Sequence, residues 1–411
     1  MRYLARRRPM CAVLVAAVLS TSVVLAGSAQ ASPAGPPVTE PVWRLRWAPE
    51  ADRDGLSAFE HVEDDRANSD PAGDPHIFVD GDAYRFTMNS NVRDISPDRQ
   101  RNEVRGLRTP EGHTVSLLDG QTWRLTYSMY IPDTLKATTR FTHIMQLKAP
   151  GTGSNPIVTT SLRRYGTVPK MEVRMGDGST VVAAVDLTPL QDHWIDIDFQ
   201  VHIGDAPDGW IRWIVRDGDS TVIDATATGL DTWLFDRVRP KWGIYRSLGD
   251  TSGSLQDTYL LVRNLRAYQW SDNPVPARWA RYEAEDATSS GCATEPTNGG
   301  FTGTGYVNCQ NQAGSSVEWT LYGDARHGNA TLNLWYANAT PVHRPMDITL
   351  NGVLIAHDLD FGNTPAWTDW ESRTLIVNLR PGPNLLRATA TTDAGGPNLD
   401  SVEVEQPFSH P

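Results

Sequence analysis

The sequence has no long stretch in which apolar residues recur at helical spacing between clear helix caps. It has three cysteines in 411 residues and no lysine after residue 270. Beyond the first 32 residues, no apolar run is long enough to cross a bilayer. The first absence argues against helical and α/β folds, because those classes need amphipathic helices to cover a core. The last argues against a membrane-spanning helix in the mature chain. The scarcity of basic residues matters as well. There are 37 Lys and Arg against 49 Asp and Glu, for a formal charge of −12, which argues against nucleic-acid binding through bulk charge.

Residues 1–32, "MRYLARRRPMCAVLVAAVLSTSVVLAGSAQAS", have the form of a secretory signal. A basic start (Arg2, Arg6, Arg7, Arg8) precedes an apolar run from Cys11 to Leu25 and a small-residue "AQA" cleavage site. The arginine triplet also suits twin-arginine export. Removing the segment takes four arginines and moves the formal charge from −12 to −16. The expected protein is secreted and extracellular. Cys11 leaves with the signal, so Cys292 and Cys309 are expected to form one disulfide in an oxidising compartment.

The rest of the chain is rich in short alternating runs. "HIFVDGDAYRFTM", "TWRLTYSMYI", "WIDIDFQVHI", "WIRWIVRDGDSTVI" and "YLLVRNLRAYQW" all read as strands, and Asp-Gly pairs mark hairpin turns. The length suits two domains. "SDNPVPARWA" at 271–280 carries two prolines and reads as a linker between an all-β domain over 42–270 and a second β-sandwich over 281–406. All lysines of the chain precede residue 270, so any surface that handles a polyanion is expected in the first domain.

Three strand-like segments of that domain each present one polar face. "RNEVRG" places Arg101, Glu103 and Arg105 together, with Asn102 and Val104 opposite. "HIMQLKAP" places Gln146 and Lys148 together, with His143, Met145 and Leu147 on the core side. "RPKWGIYRS" places Lys241 and Tyr245 together, with Gly243 leaving space between them and Trp242 and Ile244 anchoring the core. In this order the segments resemble the signature strands of jelly-roll polysaccharide lyases. Alginate lyases of polysaccharide lyase family 7 carry Arg-x-Glu-Leu/Val-Arg, then Gln-Ile/Val-His, then Tyr-Phe-Lys-Ala-Gly-Val/Ile-Tyr-Asn-Gln. The run "W…DIDFQVHI…DGWIRWIVRDG…KWGIYR" resembles the heparin lyase I and glucuronan lyase group more closely.

That resemblance implies a β-jelly-roll domain that cleaves a 1,4-linked uronic-acid polysaccharide by β-elimination, with glucuronan the favoured substrate. Abstraction of the C5 proton builds charge on the adjacent carboxylate, which donors must neutralise. Gln146 with Arg101 or Arg105 suits that task, since guanidinium offers a planar fork to both oxygens. Tyr245 is the first candidate for proton transfer, and nearby cations favour its ionised form. Lys148 stands where the alginate lyases have histidine, so it either joins in neutralising the carboxylate or another residue is the base. His76 is a candidate for that role, and Lys241 and Tyr84 are candidate substrate contacts. His143 is expected to face the core, and His193 precedes Trp194 in an apolar run. Two other readings are a non-catalytic glycan-binding protein and a glycoside hydrolase. The second would need paired carboxylates, for which "WIDIDF" offers only Asp196 and Asp198.

The second sandwich, from "RYEAEDA" to "GGPNLDSVEVE", resembles a carbohydrate-binding module of family 35, close to family 6. Glu283 and Glu285 alternate on a first strand and Asp400 lies on the last, a hard-oxygen set that suits calcium. In the family these positions hold a structural calcium; no organic cofactor is implied. Trp367, Asn398 and Tyr306 are the candidate sugar contacts, an aromatic platform with an amide beside it. The disulfide would brace a loop on the ligand side. The expected partner is an acidic polysaccharide, with neither nucleic acid nor membrane, and a monomer.

Overall fold

The computed structural model describes residues 42–407, apart from 71, 152–154, 179, 272–276 and 324–328. The leader expected over residues 1–32 lies outside the described residues. The fold is all-β, as the alternation predicts. Every strand pairing within the sheets is antiparallel, and among the described residues no helix is long and apolar enough to cross a membrane.

The first sandwich packs an eight-stranded sheet against a seven-stranded one. The seven-stranded sheet runs Val181–Asp186, Val168–Met175, Val158–Tyr165, Thr142–Lys148, Arg239–Ser247, Arg99–Arg105 and His61–Glu63. The three segments singled out for their polar faces are therefore neighbours, with Arg239–Ser247 in the middle. Their alternate residues drop into one core. Trp242 and Ile244 are buried there, Trp242 stacked on Trp47 at 6.0 Å and edge-on to Tyr127 at 5.9 Å. Burial of side chains this large is worth roughly 1.5–3 kcal/mol each, which fixes the strand's facing and sends Lys241 and Tyr245 to the other side.

The second sandwich packs a six-stranded sheet on a five-stranded one around its own core of Val317, Trp319, Leu332, Leu334, Leu386 and Val402 among others. Its first strand, Ala277–Glu283, pairs along its whole length with Asn398–Pro407. The expected linker is therefore shorter than 271–280: Ser271 ends a strand of the first sandwich, residues 277–280 already belong to the second, and 272–276 lie outside the described residues. Cys292 and Cys309 face each other on paired strands and are disulfide-bonded, as expected.

The two sandwiches meet through charge rather than grease. Arg237 is fully buried, bidentate to Glu60 at 2.6 and 2.8 Å, and donates to Ser372 Oγ of the second sandwich at 2.9 Å. Arg105 Nη2 reaches Glu371 Oε1 at 2.9 Å, and Asp236 accepts from the Thr374 amide at 2.9 Å. The Thr114 amide donates to Glu403 at 3.2 Å, Arg46 pairs with Glu405, and the ring of His113 stacks on Trp279 at 5.1 Å. Buried charges are tolerated only when paired and hydrogen-bonded, so these contacts set one docking geometry.

Candidate active site and glycan groove

The outer face of the seven-stranded sheet carries a cleft of about 510 Å³. Arg101 and Arg105 enter it from one strand, Gln146 and Lys148 from the next but one, and Lys241 and Tyr245 from the strand between. Six of the residues singled out in the sequence thus share one cavity. Seven cations line it (Arg66, Arg99, Arg101, Arg105, Lys148, Arg239, Lys241) against three carboxylates, Glu63, Asp94 and Glu371. In an acidic chain this local excess gives the cleft a positive field, because low-dielectric walls focus the field of such a cluster.

Most of those cations are held in place from below. Glu103 is wholly buried and receives Gln146 Nε2 at 2.5 Å, Lys241 Nζ at 2.9 Å and Arg101 Nη1 at 3.0 Å. Glu63 binds Lys241 at 2.5 Å and Arg66 at 3.0 Å. Lys241 was expected to face a ligand, but it is 3% exposed and clamped between two carboxylates on the floor. Its work is to fix Glu63 and Glu103. Lys148 differs: burial, with Lys241, Arg239 and Arg101 adding to it, lowers its ammonium to about 7.

Tyr245 accepts a hydrogen bond from Arg99 Nη1 at 2.6 Å, and the Arg101 guanidinium lies over its ring at 3.8 Å. Burial pushes the phenol up, against the opposing pull of Arg101 and Arg99. It is therefore a neutral proton donor whose oxygen is already engaged as an acceptor.

Beside it stands a residue that the alternation had assigned to the core. His143 pairs across from Tyr245, with ring centroids 5.7 Å apart, and stacks on Phe141 at 4.9 Å. The reason is an irregularity in Thr142–Lys148. The register against Val158–Tyr165 shifts between His143 and Met145, so Ile144 and Met145 both enter the core and every earlier residue changes face. His143 Nδ1 lies 2.6 Å from Ser161 Oγ, whose own hydroxyl donates to Thr159 Oγ1 at 3.2 Å. Ser161 therefore accepts from Nδ1–H, an assignment from the hydrogen-bond network that leaves the Nε2 lone pair unprotonated. Burial, aided by Arg163, Arg101 and Lys241, holds the imidazole down at about 3. It is neutral at ordinary pH. The only sequence trace of this arrangement is "HIM", where two consecutive apolar residues follow the histidine.

Other expectations are corrected. His76 is 4% exposed and bridges Asp64 and Asp70 at 2.9 Å on both ring nitrogens, tying down a loop away from the cleft. Tyr84 is a core residue of the opposite sheet, packed edge-on to Phe59 at 4.9 Å with its phenol pushed up by burial. Gly243 does not make room for a ligand. Its φ is +140°, and a Cβ there would meet Asn102 O at 2.2 Å, so it permits close approach of the Arg99–Arg105 strand. Asp196 and Asp198 sit on the other sheet, Asp198 bidentate to Arg124 and Asp196 accepting from Ser128.

On the second sandwich a groove of about 370 Å³ is lined by Asn298, Asn308, Cys309, Gln310, Asn311, Arg344, Trp367 and Asn398. Trp367 and Asn398 thus lie together as predicted, joined by four further amides and Arg344, which the sequence reading did not pick out. Tyr306 is fully buried beneath, its phenol accepting from Asn298 Nδ2 at 2.7 Å. It positions an amide rather than stacking on a sugar.

Glu283, Glu285 and Asp400 gather along loop 302–305. Thr302 Oγ1 lies 2.8 Å from Glu283 and 3.0 Å from Asp400, and the Thr304 amide donates to Glu285 at 2.6 Å. Burial pushes the Asp400 carboxyl up to about 7, against hydrogen bonds from Thr302 and Ser401. Glu283 is raised too, by burial first, and Glu285 Oε2 is buried with no hydrogen-bond partner. A hard cation would relieve all three, so the residues fit one. Their oxygens are not drawn into mutual range of 4.8 Å; among the described residues, half-buried Asp347 with exposed His357 and Asp358 alone meets that spacing.

Fold and cleft define a two-sandwich β-protein with a cationic cleft. The sequence model of the family described as "Polysaccharide lyase" matches residues 51–260, and the chain belongs to that family. The chain is also 43% identical over 129 residues to an exo-β-D-glucosaminidase of Amycolatopsis orientalis, covering 31% of this chain and 12% of that protein. It is 36% identical over 106 residues to endo-1,4-β-xylanase B of Cellvibrio japonicus, covering 26% and 18% respectively. It therefore spans less than a fifth of the length of these curated relatives. A solved family 35 carbohydrate-binding module from Clostridium thermocellum is 40% identical, covering 33% of this chain and all of that one, with a TM-score of 0.31.

Proposed function

We propose that the protein is a secreted lyase that cleaves a 1,4-linked uronic-acid polysaccharide, glucuronan foremost, by β-elimination. The observation that carries this reading is the pairing of a neutral imidazole, His143, with a neutral phenol, Tyr245, at the edge of a cationic cleft. His143 Nε2 takes the C5 proton. The C5–H electron pair becomes the C4=C5 double bond, the C4–O4 bond breaks, and its electrons go to O4, which takes the Tyr245 proton. Proton exchange with water then restores both side chains. The products are a new chain end and a 4,5-unsaturated uronate.

A bound uronate raises the basicity of His143, since a nearby anion favours imidazolium. Gln146, oriented by Glu103, and the cleft arginines offset charge on the substrate carboxylate; a donor of this kind is commonly worth ~3 kcal/mol of barrier. The second sandwich binds the same class of glycan in its groove, with Trp367 as platform and Asn398 and Arg344 reading polar groups. Glu283, Glu285 and Asp400 hold a calcium ion that stabilises that module. Hydrolysis finds less support, because the carboxylates of the cleft are all in ion pairs with cations.

The test is absorbance of the unsaturated uronate on a panel of glucuronan, alginate, heparin and pectin. Tyr245→Phe and His143→Gln should each lose at least a hundredfold in kcat while still binding the polymer. No rise in absorbance on any member of the panel, or full turnover in both variants, would refute the assignment.

A further inference from the structure

One loop of the second sandwich belongs to both sites. Asn363 and Pro365 line the cationic cleft of the first sandwich, and Trp367 lines the groove of the second. Pro365 and Trp367 are two residues apart, so their Cα atoms are separated by at most ~7 Å. A spacing of that size is comparable to one sugar residue, and covalent connectivity fixes it.

The loop is also held rigidly. Thr364 is fully buried, exchanges backbone and side-chain hydrogen bonds with Asn338 at 2.7 and 3.0 Å, and donates to Ala366 O at 2.9 Å. Asn363 Nδ2 donates to Thr340 O at 2.9 Å. Just beyond the loop, Glu371 is bound to Arg105 at 2.9 Å and Arg239 at 3.4 Å inside the cleft. The loop cannot swing the groove away from the cleft without breaking buried ion pairs. The chemistry changes across it in a useful way: cations for carboxylates on one side, amides and an indole for hydroxyls and ring faces on the other.

We propose that cleft and groove form one continuous track for a single polysaccharide chain, crossing at the Pro365–Trp367 segment. The second sandwich then supplies distal subsites of the cleft rather than a separate anchor. This rests on reading both sites as glycan sites.

Two measurements with size-defined oligouronides test it. In calorimetric titration, oligomers short enough for one site should bind two per protein, and those long enough to span both should bind one. In kinetics, kcat/KM should rise about tenfold once oligomers outgrow the cleft. That rise should vanish in Trp367→Ala and in Arg344→Gln, the second variant guarding against a folding defect in the first. Two long chains bound per protein, or a wild-type length profile in both variants, would overturn the track. Binding in the 1:1 pattern without product would leave the track standing and sink the lyase reading, whereas no binding of any oligouronide would sink both.

Discussion

Arg105 of the first sandwich and Glu371 of the second meet at 2.9 Å inside the cationic cleft, both almost wholly buried. Burial alone would push the Glu371 carboxyl up, but Arg105, Arg239 and Arg373 hold it well below the usual carboxylate range. Glu371→Gln would leave two buried guanidinium groups short of a counter-charge. We expect a loss of about 3–5 kcal/mol, seen as a lower denaturant midpoint with a wild-type denaturant slope. Arg105→Met together with Glu371→Leu should recover only the part owed to Arg105, because Arg239 still lacks the Glu371 carboxylate. An unchanged midpoint in the single variant would show that the pair contributes nothing.

Lys148 gives the cleft a pH dependence near neutrality. Its ammonium titrates at about 7 because burial and its neighbours Lys241, Arg239 and Arg101 disfavour the charge. Below that pH the side chain is cationic and assists an anionic polymer; above it the charge is lost. KM for the polymer should therefore rise between pH 6 and pH 9, and a bound polyanion should move the midpoint upward. Lys148→Arg should keep KM low across the range, and Lys148→Ala should hold it high and flat. A flat wild-type KM profile over the same range would sink this role.

Chelation should act on the second sandwich. With Glu285 Oε2 lacking a hydrogen-bond partner and the Asp400 carboxyl raised, a calcium ion held there as proposed would offset these acids, and chelation would leave them uncompensated. The melting temperature in EDTA should fall, and added calcium should restore it in proportion to RT ln(1 + [Ca²⁺]/Kd). Glu285→Gln should blunt the response. The same melting curve with and without calcium would remove the ion from the account.

Much of the site was legible because strand alternation is a local rule. Arg101, Glu103 and Arg105 share a face, and so do Lys241 and Tyr245, because Val104, Trp242 and Ile244 must enter the core. Where the rule failed, the cause was not local. A shift in register at His143 moved that residue from the core face to the face that carries Tyr245, and pairing with Val158–Tyr165 decides it. Tyr84 and Tyr306 look like surface aromatics in sequence, yet the packing of Phe59 and Trp370 against them makes both core residues. Glu371 and Arg105 are 266 positions apart, and nothing near either one announces the other. Gly243 signalled a constraint correctly, but the constraint was the neighbouring backbone, not a ligand.

The position of Asn398–Pro407 sets the order in which the protein can be assembled during synthesis. This strand is the last of the described chain, yet it lies in the interior of its sheet, bonded to Ala277–Glu283, Tyr306–Cys309 and Asn329–Ala337. The second sandwich cannot close until it leaves the ribosome, and contacts spanning that much chain form slowly. Until then the first sandwich, already complete in sequence, holds Arg105 and Arg239 without Glu371 packed against them. A nascent or clipped chain would thus carry the cleft's cationic strands but not its finished wall, so the cleft should be complete only after the final strand is in place.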